Sequence, residues 1–207
     1  MLRTAAVTLL FSCLLIAQGD KPATDSKPAD GKKLEVTAVS YKNETCPLMS
    51  KPVKEDLSVM SSHGRVWFCC KNCIARATKD PEATYLKAYP SATKVNNAND
   101  PIDGKPVKEG TTVVYQGYEI GLSDAAHAKA VVANGDVYVT LLTKPDVKDV
   151  KNTKDPINDK PVAENQVVLI GNSLVHLSSQ ESIESIKKDP AVALAKAEKS
   201  AKPEKKG

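Results

Sequence analysis

Three octets at nearly constant spacing constrain this chain more than any other feature. Cys46-Pro47-Leu48-Met49-Ser50-Lys51-Pro52-Val53, Asp100-Pro101-Ile102-Asp103-Gly104-Lys105-Pro106-Val107 and Asp155-Pro156-Ile157-Asn158-Asp159-Lys160-Pro161-Val162 share the pattern X-Pro-apolar-X-X-Lys-Pro-Val. They begin at positions 46, 100 and 155, which are 54 and 55 residues apart. Self-similarity at a fixed period marks a chain assembled from copies of one supersecondary unit. An apolar segment broken by a glycine follows each octet, at 57–68 around Gly64, 113–122 around Gly117 and 167–177 around Gly171. In the second of these, Val113-Val114-Tyr115 and Tyr118-Glu119-Ile120 flank Gln116-Gly117. Strand-forming residues on both sides of a two-residue turn predict a hairpin, and 167–175 reads the same way around Gly171-Asn172.

A short helix is predicted after each hairpin. The first spans Lys71 to Lys79 and is stopped by Asp80-Pro81. The second spans Asp124 to Ala133, capped by Ser123 and ended by Asn134-Gly135. The third spans Ser182 to Lys188 and is stopped by Asp189-Pro190. Asp136 to Leu142 reads as an extra strand in the second copy. The expected fold class is therefore α+β, with three tandem small repeats at 35–92, 93–147 and 148–195. Each is a proline-pinned turn, a β-hairpin and a short α-helix. With aromatics at 4% of the residues, including one Trp and two Phe, several small cores suit the chain better than one large core.

The termini read differently. Residues 1–19 have the form of a secretory signal: Arg3, an apolar run from Thr4 to Ala17, then Ala17-Gln18-Gly19, with cleavage expected before Asp20. The run is too short for a membrane span. Lipoprotein processing at Cys13 is disfavoured because apolar residues continue through Leu14-Leu15-Ile16. Residues 20–34 are a Lys/Pro/Asp/Ala linker, and 196–207 form a basic tail with almost nothing to bury. An exported protein, periplasmic or extracellular, is the expectation. The net charge of +4 is mild, and no basic stripe interleaved with aromatics points to nucleic acid.

Four cysteines remain after the signal: Cys46, Cys69, Cys70 and Cys73. Two disulfides are one reading in an oxidising compartment. Adjacent and near-adjacent cysteines, however, would close little chain and constrain little. The alternative is a metal site. Cys69 and Cys73 lie four apart at a helix start and share a face, and Cys46 enters from the first turn. Three thiolates suit zinc or copper(I), one ion per chain. His63 or Cys70 is a candidate fourth ligand for zinc. Met49 could serve copper(I), although packing against the hairpin is the plainer expectation.

Cys46-Pro47-Leu48-Met49, then Gly64-Arg65-Val66-Trp67-Phe68-Cys69-Cys70-Lys71-Asn72-Cys73, Asp80-Pro81 and Tyr85-Leu86 resemble the YHS domain of the TRASH-like group over about residues 43–88. That resemblance implies a treble-clef-like fold and a site for heavy metals such as copper and zinc. It implies Cys46, Cys69 and Cys73 as ligands, with Cys70 a frequent companion. In the later copies Asp100 and Asp155 replace the first cysteine. Leu122 and Leu177 are expected at the second position, with Ala126 and Glu181 at the third. His127 and His176 fall nearby. Those copies read as degenerate scaffolds with small apolar cores, available to bind another exported protein.

The functional expectation is a metal buffer, sensor or carrier and not an enzyme. A disulfide-stapled interaction module is one alternative. A thiol–disulfide oxidoreductase using Cys70-Lys71-Asn72-Cys73 is another, but it lacks the βαβ context of thioredoxin. No hydrolase or phosphate-loop motif is present. Asp100 to Gly104 superficially resembles a calcium loop, but Thr111 stands where the bidentate Glu belongs.

Overall fold

Each apolar segment folds back on itself as an antiparallel hairpin. The computed structural model describes residues 34–201. The expected signal peptide, Cys13, nearly all of the linker and the end of the tail lie outside that range. After a short strand, β1 (Val36–Ala38), the first hairpin pairs β2 (Lys54–Ser61) with β3 (Gly64–Phe68). Two helices follow, α1 (Lys71–Ala77) and α2 (Pro81–Ala88). Next come β4 (Thr93–Lys94) and the hairpin β5 (Thr112–Tyr115) with β6 (Tyr118–Gly121). Gln116 and Gly117 take φ of 44° and 81° in its turn, the left-handed pair a two-residue hairpin loop requires. A 3-10 turn (Ala125–His127), α3 (Ala128–Ala133) and α4 (Gly135–Thr143) complete the middle of the chain. The last part holds β7 (Lys148–Asp149), the hairpin β8 (Val167–Ile170) with β9 (Ser173–His176), α5 (Ser182–Ile186) and α6 (Pro190–Lys199). The fold is α+β.

Each hairpin packs its inner face on the helices that follow it. Leu57, Val66 and Phe68 meet Ala77 and Tyr85. Val113, Ile120 and Leu122 meet Val131 and Val139. Val175 and Leu177 meet Ile183, Ile186 and Ala197. Full burial of such a side chain contributes about 2 kcal/mol, so each cluster alone is modest.

Several local expectations are corrected. The segment 136–142 is helix α4, not a strand. Its β-branched residues favour a strand locally, but burial of Val137, Val139 and Thr140 against the hairpins decides otherwise. The threonine hydroxyls are absorbed by back-bonds, Thr140 to the Asp136 carbonyl and Thr143 to the Val139 carbonyl, each 2.6 Å. Asp80-Pro81 and Asp189-Pro190 start helices instead of only stopping them. Each Asp accepts a backbone N–H, from Ala83 at 2.9 Å and Val192 at 3.1 Å, with Pro in the first turn. Ser123 is not the cap of the middle helix, because Asp124 accepts the Ala126 N–H instead. The units also share elements. Strand β1 pairs with β8, giving a sheet ordered β1-β8-β9-β7. Val39, Val137 and Leu174 share one cluster across the chain. Helix α6 runs to Lys199 with Ala197 buried, and Ala201 bridges Asn152, so residues 196–201 belong to this one compact body.

Candidate metal centre

The proline-pinned turn is a small closed loop whose first side chain points inward. The Cys46 N–H donates to the Lys51 carbonyl at 2.8 Å, and the Ser50 N–H donates to the Cys46 carbonyl at 2.8 Å. Thr45 and Pro52 bridge across its neck. Ser50 has φ of 51°, a left-handed residue that lets the loop close. Cys46 and Cys73 are buried and Cys69 is partly exposed, and the three sulfurs lie within 4.8 Å of one another. Cys69 follows the last residue of strand β3 and Cys73 lies in the first turn of α1, 3.9 Å apart sulfur to sulfur. Such a group of converging thiols could hold one ion. The four cysteines among the described residues are free thiols.

Burial works against ionisation of Cys46, yet the backbone N–H groups of Cys69 and Leu48 aim at its sulfur and hold its pKa below the ordinary thiol value. Cys73 has no such help. Burial and its place as donor among the other thiols push it up to about 12. A cation placed between the sulfurs would relieve both burdens at once, because it favours every thiolate around it. Cys70, the cap residue of α1, has its sulfur 3.5 Å from that of Cys73 and stands outside the converging triad. His63 precedes the five-residue strand β3 and Cys69 follows it, so about 20 Å of backbone separates them. Its ring stacks on Tyr85 at 5.2 Å, so it is not the fourth ligand. Met49 is 48% exposed and does not pack under the hairpin as expected.

The same backbone hydrogen bonds recur at the other two octets. Asp100 N–H donates to the Lys105 carbonyl at 2.8 Å and Asp155 N–H to the Lys160 carbonyl at 2.9 Å. Gly104 and Asp159 take the left-handed conformation of Ser50, with φ of 70° and 61°. The hairpins close on Ser61–Gly64, Tyr115–Tyr118 and Ile170–Ser173. Counting forward from these pairs, Leu122 and Leu177 stand at the place of buried Phe68, not of Cys69. The thiol positions fall on Ser123 and His127 in the second unit and on Ser178 and Ser182 in the third. The expected Leu122, Leu177, Ala126 and Glu181 are each one residue early, because the fully buried apolar residue that closes each hairpin precedes the ligand position.

Polar side chains, not apolar ones, therefore stand at the positions that correspond to the thiols. Asp100 accepts the Ile102 N–H at 2.8 Å, the Ser123 N–H at 2.7 Å and a bond with His127 Nδ1 at 2.8 Å. Asp155 accepts the Ile157 N–H at 2.9 Å, the Ser178 N–H at 2.8 Å and the hydroxyls of Ser178 and Ser182 at 2.9 and 2.7 Å. Burial opposes ionisation of Asp100, but these bonds prevail and hold its carboxyl at about 2. Asp103 also converges with Asp100 and His127, so this second group could hold an ion as well. Lys105 occupies Asp103 at 3.0 Å. His176 pairs with Asp149 at 2.8 Å, away from the ligand positions.

One set of residues escaped the sequence reading. Asn43, Asn97 and Asn152 each donate to two carbonyls, two and 24 residues on, and accept the N–H of the later residue. They clamp each octet to its second hairpin strand, and their spacing of 54 and 55 residues was the available signal. Comparison with protein-family models, curated proteins and solved structures found no match.

Proposed function

We propose that this is an exported heavy-metal-binding protein that holds one zinc or copper(I) ion through Cys46, Cys69 and Cys73. It acts as a metal buffer, sensor or carrier, in a binding and not a catalytic role. The observation that carries the reading is the convergence of three thiol donors within 4.8 Å, drawn from a closed turn and a strand-to-helix junction. Thiolates are soft ligands, which favours zinc and copper(I) over calcium or magnesium.

On this reading the three turn–hairpin–helix units are copies of one treble-clef-like scaffold of the YHS type, and only the first keeps the thiols. The shared turn, the shared asparagine clamp and the constant spacing support it. Export rests on the signal-like residues 1–19. Among the described residues no helix is long and apolar enough to cross a membrane.

The test is metal content together with free-thiol count on mature protein purified from its export compartment without chelator. About one zinc or copper per chain is expected, lost in the double variant Cys69→Ser, Cys73→Ser. Absence of metal with all four thiols oxidised would replace this reading with a disulfide-stapled module.

A further inference from the structure

We infer that Cys70 and Cys73 form a redox couple that withdraws Cys73 from the metal site, so that oxidation releases the ion. The inference rests on the three-cysteine reading and adds a control to it. Cys70 is the one described thiol outside the converging triad, and its sulfur is 3.5 Å from that of Cys73, closer than Cys69 at 3.9 Å. Residues three apart at a helix start have Cα atoms about 5 Å apart, inside the range a disulfide spans without backbone movement. Closing the remaining gap needs side-chain rotation alone.

Access sets the direction of the reaction. Cys73 is 2% exposed, whereas Cys70 is only partly buried, so a reagent from solvent meets Cys70 first. With the ion in place, Cys46, Cys69 and Cys73 share it and Cys70 alone keeps an uncommitted sulfur. The oxidant is a low-molecular-weight disulfide, RSSR. The Cys70 thiolate attacks one sulfur, forms Cys70–S–S–R and expels RS⁻, which takes up the proton Cys70 gave up. The Cys73 thiolate then leaves the ion and attacks the Cys70 sulfur, expelling the second RS⁻. The two protein sulfurs lose two electrons, the reagent becomes one thiol and one thiolate that takes its proton from water, and the ion is left with two thiolates. Two thiolates fall short of the three or four protein ligands that zinc sites use, so the remnant holds the ion poorly.

The test uses the full mature chain loaded with zinc and exposed to a graded series of reduced and oxidised glutathione. Zinc release is read with a chromophoric chelator, and the disulfide by peptide mass. Wild type should lose its zinc in step with a Cys70–Cys73 disulfide. Cys70→Ser should bind zinc equally well under reducing conditions and keep it at the oxidised end of the series. Three results overturn the inference: Cys70→Ser releasing zinc at the wild-type rate, wild type keeping zinc when fully equilibrated with oxidised glutathione, or reduced Cys70→Ser failing to hold zinc, which would make Cys70 a ligand. Failure of the metal reading itself is distinct, since reduced wild type would then take up no zinc at all.

Discussion

The Cys46 turn and the Asp155 turn have the same backbone and opposite chemistry. In both, the first residue's N–H donates to the carbonyl five residues on, at 2.8 and 2.9 Å. In both, two backbone N–H groups aim at the first side chain, from Leu48 and Cys69 in one and from Ile157 and Ser178 in the other. A buried point faced by two N–H groups demands an acceptor, and preferably an anion. One turn supplies a thiol whose ionisation those N–H groups favour, beside two further sulfurs that could share an ion with it. The other supplies a carboxylate, satisfied by the hydroxyls of Ser178 and Ser182 at 2.9 and 2.7 Å. The turn faces its first side chain with two N–H groups in both places, and the neighbours decide whether sulfurs that could hold an ion or hydroxyls meet it.

The largest expected effect is on chelation. Stripping metal from the whole protein should raise amide exchange in β3 and α1 by about a hundredfold or more, while β9 and α5 stay protected. Equal exchange in both regions would mean the metal does not hold the first unit together. The converse experiment builds a site: Asp155→Cys with Ser178→Cys and Ser182→Cys should add about one zinc per chain. A folded triple variant that takes up no further zinc would show the two turns to be less alike than their backbones.

Removing the carboxylate is a smaller perturbation. Asp155→Ala takes the acceptor from the Ile157 and Ser178 N–H groups and the Ser182 hydroxyl, and should cost about 3 kcal/mol in urea unfolding. Asp155→Asn, which keeps one acceptor oxygen, should cost less. A loss near zero for Asp155→Ala would show that water serves those donors.

Asp136 sharpens the same point from the other side. It is buried like Asp155, but no cradle of backbone N–H groups meets its carboxylate. Burial raises it to about 6, and the bonds from Tyr115 and Asn165 only partly offset that. Because the folded pKa lies above the unfolded value near 3.8, the native state holds the extra proton between those values. Stability should therefore fall as pH rises through that window. Asp136→Asn should remove this slope and gain about 2 kcal/mol at neutral pH. A slope that survives the substitution would assign it to another group.

Much of the local architecture was legible in the chain. Gln116-Gly117 marked its hairpin turn, and the octets marked three turns. The cysteine spacing marked the triad, because a four-residue step along a helix start places two thiols on one face. The helices α2, α4 and α6 were missed. Asp-Pro signals both a stop and a start, and the β-branched run 136–142 carries strand propensity that only its buried neighbours override. Gly135 shows the reason: a side chain there would come within 2.3 Å of the Tyr115 ring, a fit set by a hairpin some twenty residues away.

The sequence by itself determined the spacing of the units, the turns and the choice of soft donors, because each of these is a local property of a few adjacent residues. Tertiary structure decided which positions truly correspond. A one-residue difference along a strand moves a side chain to the opposite face, and only the pairing of the hairpins set Ser123, His127, Ser178 and Ser182 in the places of the thiols. It also decided that β1 joins β8, since strand pairing across more than a hundred residues is fixed by which sheet edge is left open, and no local signal records that.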